Sequence, residues 1–322
     1  MYVPELEWIV TLGAATAILL FDVVVIARRP REPAMRECAI ALSAYIGLAV
    51  IFGIWVWYAH GQQFGLEFFA GWLTEYSLSI DNLFVFIIIM ASFNVPKVYQ
   101  QQALLTGIVI ALVFRGIFIA LGAVAIQRFS WVFYVFGAFL VCTAVKLARD
   151  TGRDAHVENA VVRFARNQLH TTDHWDGLKL YLKDGSKRLM TPVFLVILAL
   201  GGADLIFALD SIPAIYGLTR EPYLVLAANV FALMGLRQLY FLLGGLLKRL
   251  VYLSQGLAII LFFIGMKLVL HALRGNELPF INGGEHVNVP EIPTLLSLAV
   301  IVVTLVVTAV ASLVMSRVVD TD

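Results

Sequence analysis

Glu75-Tyr-Ser-Leu-Ser-Ile-Asp81-Asn82 and Asp204-Leu-Ile-Phe-Ala-Leu-Asp210-Ser211 write the same acidic signature twice inside strongly apolar sequence. Each sets two carboxylates six residues apart, with an amide or a hydroxyl directly after the second. An aspartate at bilayer depth costs roughly 2.5–3.5 kcal/mol on insertion scales. Four acids in matching positions therefore point to a cation pathway rather than to packing. The donor set of Glu75, Asp81, Asn82, Asp204, Asp210 and Ser211 is all oxygen, which suits hard divalent cations such as Mg²⁺, Ca²⁺ and Mn²⁺. No His or Cys accompanies either motif, which argues against Zn²⁺, Cu⁺ or an iron–sulfur centre.

On an uninterrupted helix, residues six apart differ by about 120° in azimuth and about 9 Å in rise. The two acids of a pair then do different jobs, or the helix breaks between them. Glu75, Ser79 and Asn82 share one face, as do Asp204, Ala208 and Ser211. Pro213 predicts a break in the second motif, since it cannot donate to the Leu209 carbonyl and its ring crowds that turn. Gly201 and Gly202 loosen the same helix upstream. Four ionised acids against Arg115 and Arg237 leave a charge of minus two, which one divalent cation would balance. A protonated Glu75 or Asp204 would instead serve a proton relay.

The elements that must hold these residues are membrane helices. The chain has 322 residues, 61% hydrophobic and 14% charged, with a net charge of +1 and a mean hydropathy of +0.88. That composition belongs to an integral membrane protein, and the charge excludes a nucleic-acid partner, which needs a concentrated basic face. Spans of about 20 apolar residues are expected at 6–27, 37–59, 66–92, 100–125, 129–149, 191–217, 222–246, 250–272 and 293–316, making nine helices of an all-α fold. Residues 150–190 are too charged for lipid and read as a cytoplasmic loop. The N-terminus lacks the basic region of a signal peptide, so the first span is expected to be retained. Cys38 and Cys142 fall in or beside apolar spans and suggest no disulfide framework. The Lys and Arg of alternate loops put the N-terminus outside and the C-terminus in the cytoplasm of a multi-pass inner-membrane protein, with Arg128 the small exception.

The repeat extends beyond the acids. Thr106-Gly-Ile-Val-Ile-Ala-Leu-Val-Phe-Arg115 and Asn229-Val-Phe-Ala-Leu-Met-Gly-Leu-Arg237 are each followed seven residues later by glycine, Gly122 and Gly244. A lysine follows in the next helix of each unit, Lys146 and Lys267. The chain thus divides into an N-terminal helix pair (1–65), a first three-helix repeat (66–149), the loop (150–190), a second three-helix repeat (191–272), and an extracellular loop with a last helix (273–322). Three helices is an odd number, so the repeats enter the membrane in opposite senses, as in secondary transporters whose sites lie between inverted repeats.

Several features also have plainer readings. Arg115 and Arg237 serve either as counter-ions or as helix locks, and intramembrane Asn or Ser can bond across helix interfaces. Asn229 and Asp22 are second-rank site candidates, Asp22 because it sits six residues before Arg28 near the interface. Lys146 and Lys267 read as side chains that snorkel to the interface. His170 and His174, with Asp173 and Asp176, read as solvated loop rather than a metal site, and Glu285-His286 beside Gly283-Gly284 as a turn. The sequence contains no nucleotide-binding P-loop, Gly-x-Ser-x-Gly elbow or zincin helix, so an enzyme is not expected and no prosthetic group is implied.

Glu75-x5-Asp81-Asn82, Phe93-x-Val95-Pro96, Asp204-Leu-Ile-Phe-Ala-Leu-Asp210-Ser-Ile-Pro-Ala214 and Asn229-Val-Phe-Ala-Leu-x-Gly-Leu-Arg237-x-Leu-Tyr-Phe-Leu-Leu243 together resemble the TerC family of membrane proteins. The likeness extends to Asp22, to Phe-Gly-Ala-Phe-Leu at 136–140 and to Ile264-Gly-Met-Lys267. Within the family it resembles the Alx branch, whose members are implicated in Mn²⁺ export, while the older family label concerns tellurium resistance. The resemblance implies a manganese exporter, distantly related to the LysE superfamily, with Mn²⁺ as substrate and Glu75, Asp81, Asn82, Asp204, Asp210 and Ser211 handling the ion. One departure is Gly201, where relatives often carry a glutamate.

Three readings stay open from the residues alone. One is Mn²⁺ efflux, with protons as a candidate coupling ion. The second is a Ca²⁺ or broader cation/proton exchanger. The third is a membrane scaffold, its acids and arginines bridging helices and the 150–190 loop recruiting a partner protein. Homo-oligomerisation is compatible with each.

Overall fold

The computed structural model describes residues 3–28, 33–129, 131–149, 180–184, 187–243, 252–276, 278 and 281–319. Its helices are α1 (Glu5–Arg28), α2 (Met35–His60), α3 (Gln62–Ser92), α4 (Lys97–Arg128), α5 (Val132–Arg149), α6 (Pro192–Tyr216), α7 (Pro222–Met234), α8 (Leu236–Leu243), α9 (Leu253–Arg274) and α10 (Thr294–Val319). Among the described residues, eight helical stretches are long and apolar enough to cross a membrane, with α7 and α8 forming one of them. The first of the nine expected windows is the 24-residue helix α1, part of whose side chains lie outside the described residues. Proline begins α6 and α7, where its missing N–H costs no intrahelical bond.

The polar stretch after α5 ends in a short hairpin that the all-helical expectation does not contain. Tyr181–Asp184 (β1) pairs antiparallel with Lys187–Met190 (β2), Tyr181 opposite Met190. The stretch containing His170, Asp173, His174 and Asp176 lies outside the described residues.

Pro213 does not break the second acidic helix between its carboxylates. It sits in the last turn of α6, which runs without interruption from Pro192 to Tyr216. Only the Leu209 carbonyl loses its donor there, and the helix ends three residues later anyway. The break falls instead in the arginine-bearing segment, at Gly235 between α7 and α8. α3 is likewise continuous past Glu75 and Asp81.

The helices pair crosswise between two three-span units, α3–α5 and α6–α9, with α7 and α8 counting as one span. α3 runs parallel to α7, with Gly71 against Ala228 and Tyr76 against Gly235. α4 runs parallel to α6, with Gly107 against Leu200 and Gly122 against Tyr216. α5 runs antiparallel to α9: Phe133 packs edge-on to His271 with centroids 5.1 Å apart, and the Tyr134 hydroxyl donates to Asn276 Oδ1 at 3.1 Å. Each unit's first helix therefore lies on the other unit's second, and the third helices lie on each other.

The α5–α9 contact carries a local two-fold. A Cβ on Gly137 would stand 2.8 Å from the Gly265 carbonyl oxygen, and one on Gly265 would stand 2.9 Å from that of Gly137. The next neighbours match too, Val269 over Gly137 and Val141 over Gly265. This two-fold makes Gly137 the equivalent of Gly265 and Val141 that of Val269, and so makes Arg274, not Lys267, the equivalent of Lys146. The sequence correspondence of the two lysines is not the one the packing uses. Lys146 is exposed near the end of α5, whereas Lys267 is partly buried and donates to Ser297 Oγ of α10 at 3.1 Å.

Candidate functional site

Glu75, Arg115, Asp204 and Asn229 come from four helices, α3, α4, α6 and α7, and converge in the interior. Glu75 is fully buried, and the other three are each 1% exposed. Arg115 Nε donates to Asp204 Oδ2 and Nη2 to Asp204 Oδ1, both at 3.2 Å, a bidentate fork. Arg115 Nη1 donates to Asn229 Oδ1 at 2.9 Å and also ion-pairs with Glu75. Asn229 is itself fixed by a bond from Nδ2 to the Val225 carbonyl one turn back, at 3.1 Å.

The crosswise helix pairing explains this meeting. α4 lies along α6, so an arginine on α4 reaches an acid of the opposite unit, while α3 brings Glu75 from its own unit. Two carboxylates and one guanidinium leave the triad at minus one. The sequence count set both arginines against four acids, but here a single guanidinium bridges the leading acids of both motifs. Arg237 sits on α8 beyond Gly235, partly buried and within electrostatic reach of the Cys38 thiol of α2.

Asn82 of α3 and Ser211 of α6 are buried, 5% and 2% exposed. The side chains of Asp22, Asp81 and Asp210 lie outside the described residues. On the continuous helices, Asp81 and Asp210 each follow the bridged acid by about 9 Å of rise. Among the described residues no three His, Cys, Asp or Glu side chains converge on one point. The buried hydroxyls of Thr74, Ser79 and Ser211 have no hydrogen-bond partner. A fold ordinarily satisfies such groups, so these three oxygens, on the two acidic helices, are surplus to its own bonding.

One buried carboxylate is absent from the sequence-derived set. Glu67, near the start of α3, is 7% exposed. It accepts from Gln63 Nε2 at 3.0 Å and from Thr219 Oγ1 at 2.6 Å. Its signal was the flanking run Leu66-Glu-Phe-Phe69, an acid inside apolar sequence two turns before Glu75. At the same end of the bundle the expected turn forms at Asn282–Gly284, with Gly283 at φ +66° and the Glu285 N–H bonded to the Asn282 carbonyl.

Residues 60–320 match the model of the integral membrane protein TerC family. An uncharacterized membrane protein of Mycobacterium bovis is 47% identical over 312 residues, covering 95% of this chain and 79% of the relative. An uncharacterized membrane protein of Myxococcus xanthus is 35% identical over 311 residues, covering 96% and 92%. A protein of Escherichia coli O6:H1 named "Putative membrane-bound redox modulator Alx" is 36% identical over 265 residues, covering 79% and 83%. No solved structure matches.

Proposed function

This chain belongs to the integral membrane protein TerC family, and we propose that it carries a divalent cation, Mn²⁺ foremost, out across the cytoplasmic membrane. The observation that carries the reading is the buried bridge from Glu75 through Arg115 to Asp204, set where the two units cross. Buried intramembrane acids cost too much to be casual and typically mark ion paths. This bridge ties the leading acid of one motif to that of the other.

Asp81 and Asp210 would hold the ion, with Asn82 and Ser211 as neutral oxygen ligands. Glu75 and Asp204 would set the charge of the site through Arg115. When a divalent cation arrives, the minus-one triad and the two following aspartates offer minus three against plus two. The surplus is one proton's worth, which suits proton-coupled exchange. Rocking of the crossed units would expose the site to either side in turn. The chain would act with its N-terminus outside, as a carrier and not an enzyme.

A second reading has its own observation. Arg115 already engages both leading acids and Asn229, as a helix lock would. Flux in proteoliposomes separates the two, with Mn²⁺, Ca²⁺, Mg²⁺ and Zn²⁺ compared for wild type and Asp81→Asn/Asp210→Asn. Mn²⁺-selective flux that disappears in the folded double variant supports the carrier. No cation flux from folded wild type leaves the lock and overturns it.

A further inference from the structure

Beside Glu67, at the α6–α7 end of the bundle, lies a cavity of about 430 Å³. Arg220, Lys267, His271 and Arg274 line it, together with Glu67, Glu221 and Glu291. Formal charge nearly cancels, but two of the cations keep unused donors. Both Glu67 oxygens are already engaged, by Gln63 and Thr219, and Glu291 pairs with Arg274. Lys267 spends one of its three donors, on the neutral hydroxyl of Ser297. The Arg220 guanidinium lies over the Phe133 ring, 4.7 Å from its centroid, and makes no hydrogen bond or ion pair with the described residues. Burial lowers the Arg220 pKa and the Glu291 carboxylate offsets part of that, and a guanidinium stays cationic throughout the physiological range. His271 packs on the same Phe133 ring. Arg220 and Lys267 are thus left with cationic donors to spare.

Its depth is marked by the residues around it. Exposed Phe129 and Trp131, rings 5.9 Å apart, stand just before Phe133, as aromatic residues do at the headgroup level. Thr294, in the cavity wall, begins α10, whose Leu295, Leu296, Val303 and Val306 are exposed apolar side chains. A polar chamber with donors to spare thus opens beside a lipid-facing helix.

We propose that this cavity is an oxyanion site in which Arg220 and Lys267 hold a phosphate, carried on a lipid headgroup or free. Basic pockets between membrane helices recognise phosphate headgroups through charge and donor count together. The site is separate from the buried triad and does not depend on the transport reading.

The test uses the full chain purified in detergent, with two arms. Native mass spectrometry compares retention of phosphatidylglycerol with that of diacylglycerol, which lacks the phosphate. Thermal unfolding compares inorganic phosphate with chloride at equal ionic strength. Wild type is expected to favour phosphatidylglycerol by roughly tenfold or more, and Arg220→Gln/Lys267→Met to lose that preference. Protection by inorganic phosphate without a lipid preference, lost in the same variant, assigns the site to a free oxyanion. No preference in either arm, or one that survives the double variant, overturns the proposal. If the double variant does not fold, Lys267→Gln alone is measured in the same two arms and must weaken the preference.

Discussion

Arg115 of α4 grips Asp204 of α6 through two hydrogen bonds of 3.2 Å, across the boundary between the two three-span units. The two residues are 89 positions apart in the chain, and both are 1% exposed. Among the described residues, this fork, with Glu75 on its other side, links the two acidic helices ionically.

Removing Arg115 should therefore be costly out of proportion to the bonds it makes. Arg115→Gln leaves Glu75 and Asp204 buried without their cation, and breaking such a pair costs about 3–5 kcal/mol. Neutralising the acids as well, in Glu75→Gln/Arg115→Met/Asp204→Asn, removes the stranded charges and should recover most of the loss. Thermal unfolding of the purified variants checks this. A single variant as stable as wild type would show that the bridge does not hold the units together.

Asn229→Leu probes the same guanidinium from α7. It deletes one acceptor of a charge-assisted bond 2.9 Å long and should cost about 1.5–3 kcal/mol. Asn229→Asp keeps an acceptor but adds a third carboxylate around one guanidinium, so it should unfold at a lower temperature as pH rises through the carboxylate range. Identical melting at acidic and neutral pH would remove Arg115 as the reason for Asn229.

The residues of this cluster were legible in the sequence, and their partnership was not. Charges inside apolar runs expose Glu75, Arg115 and Asp204 without any structure. Which arginine serves which acid depends on α4 lying along α6, a tertiary choice that no local pattern encodes. Pro213 illustrates the limit of local rules. Its ring and missing N–H forbid helix continuation only over one turn, and α6 places that turn at its own end. Gly235, a weaker signal, takes the break instead. Glu67 escaped because an acid near a helix start ordinarily faces water, and its burial depends on Thr219 arriving from the α6–α7 connection.

Gly137 and Gly265 should be equally intolerant of a side chain. Each Cβ would fall within 3.0 Å of the other's carbonyl oxygen, and backbone cannot swing aside as a side-chain tip can. Overpacking of this kind costs about 1–3 kcal/mol. Gly137→Ala and Gly265→Ala should lower the melting temperature by similar amounts, and the double variant by less than their sum, because one separation of α5 and α9 relieves both clashes. Full additivity would contradict the shared contact.

Stability and transport should part company at Ser211. Its hydroxyl is buried, with no hydrogen-bond partner, so Ser211→Ala deletes a desolvated group that contributes nothing to the fold. Stability, read by thermal melting, should stay level or rise by about 1 kcal/mol. If the same oxygen is a ligand on the cation path, Mn²⁺ flux in proteoliposomes should fall together with apparent affinity. Ser79→Ala, an equally unpartnered hydroxyl on the Glu75 and Asn82 face of α3, provides the matched comparison from the other unit. Loss of flux with undiminished melting at both positions would mark them as ligands. Unchanged flux at both would confine the ion to the carboxylates and Asn82.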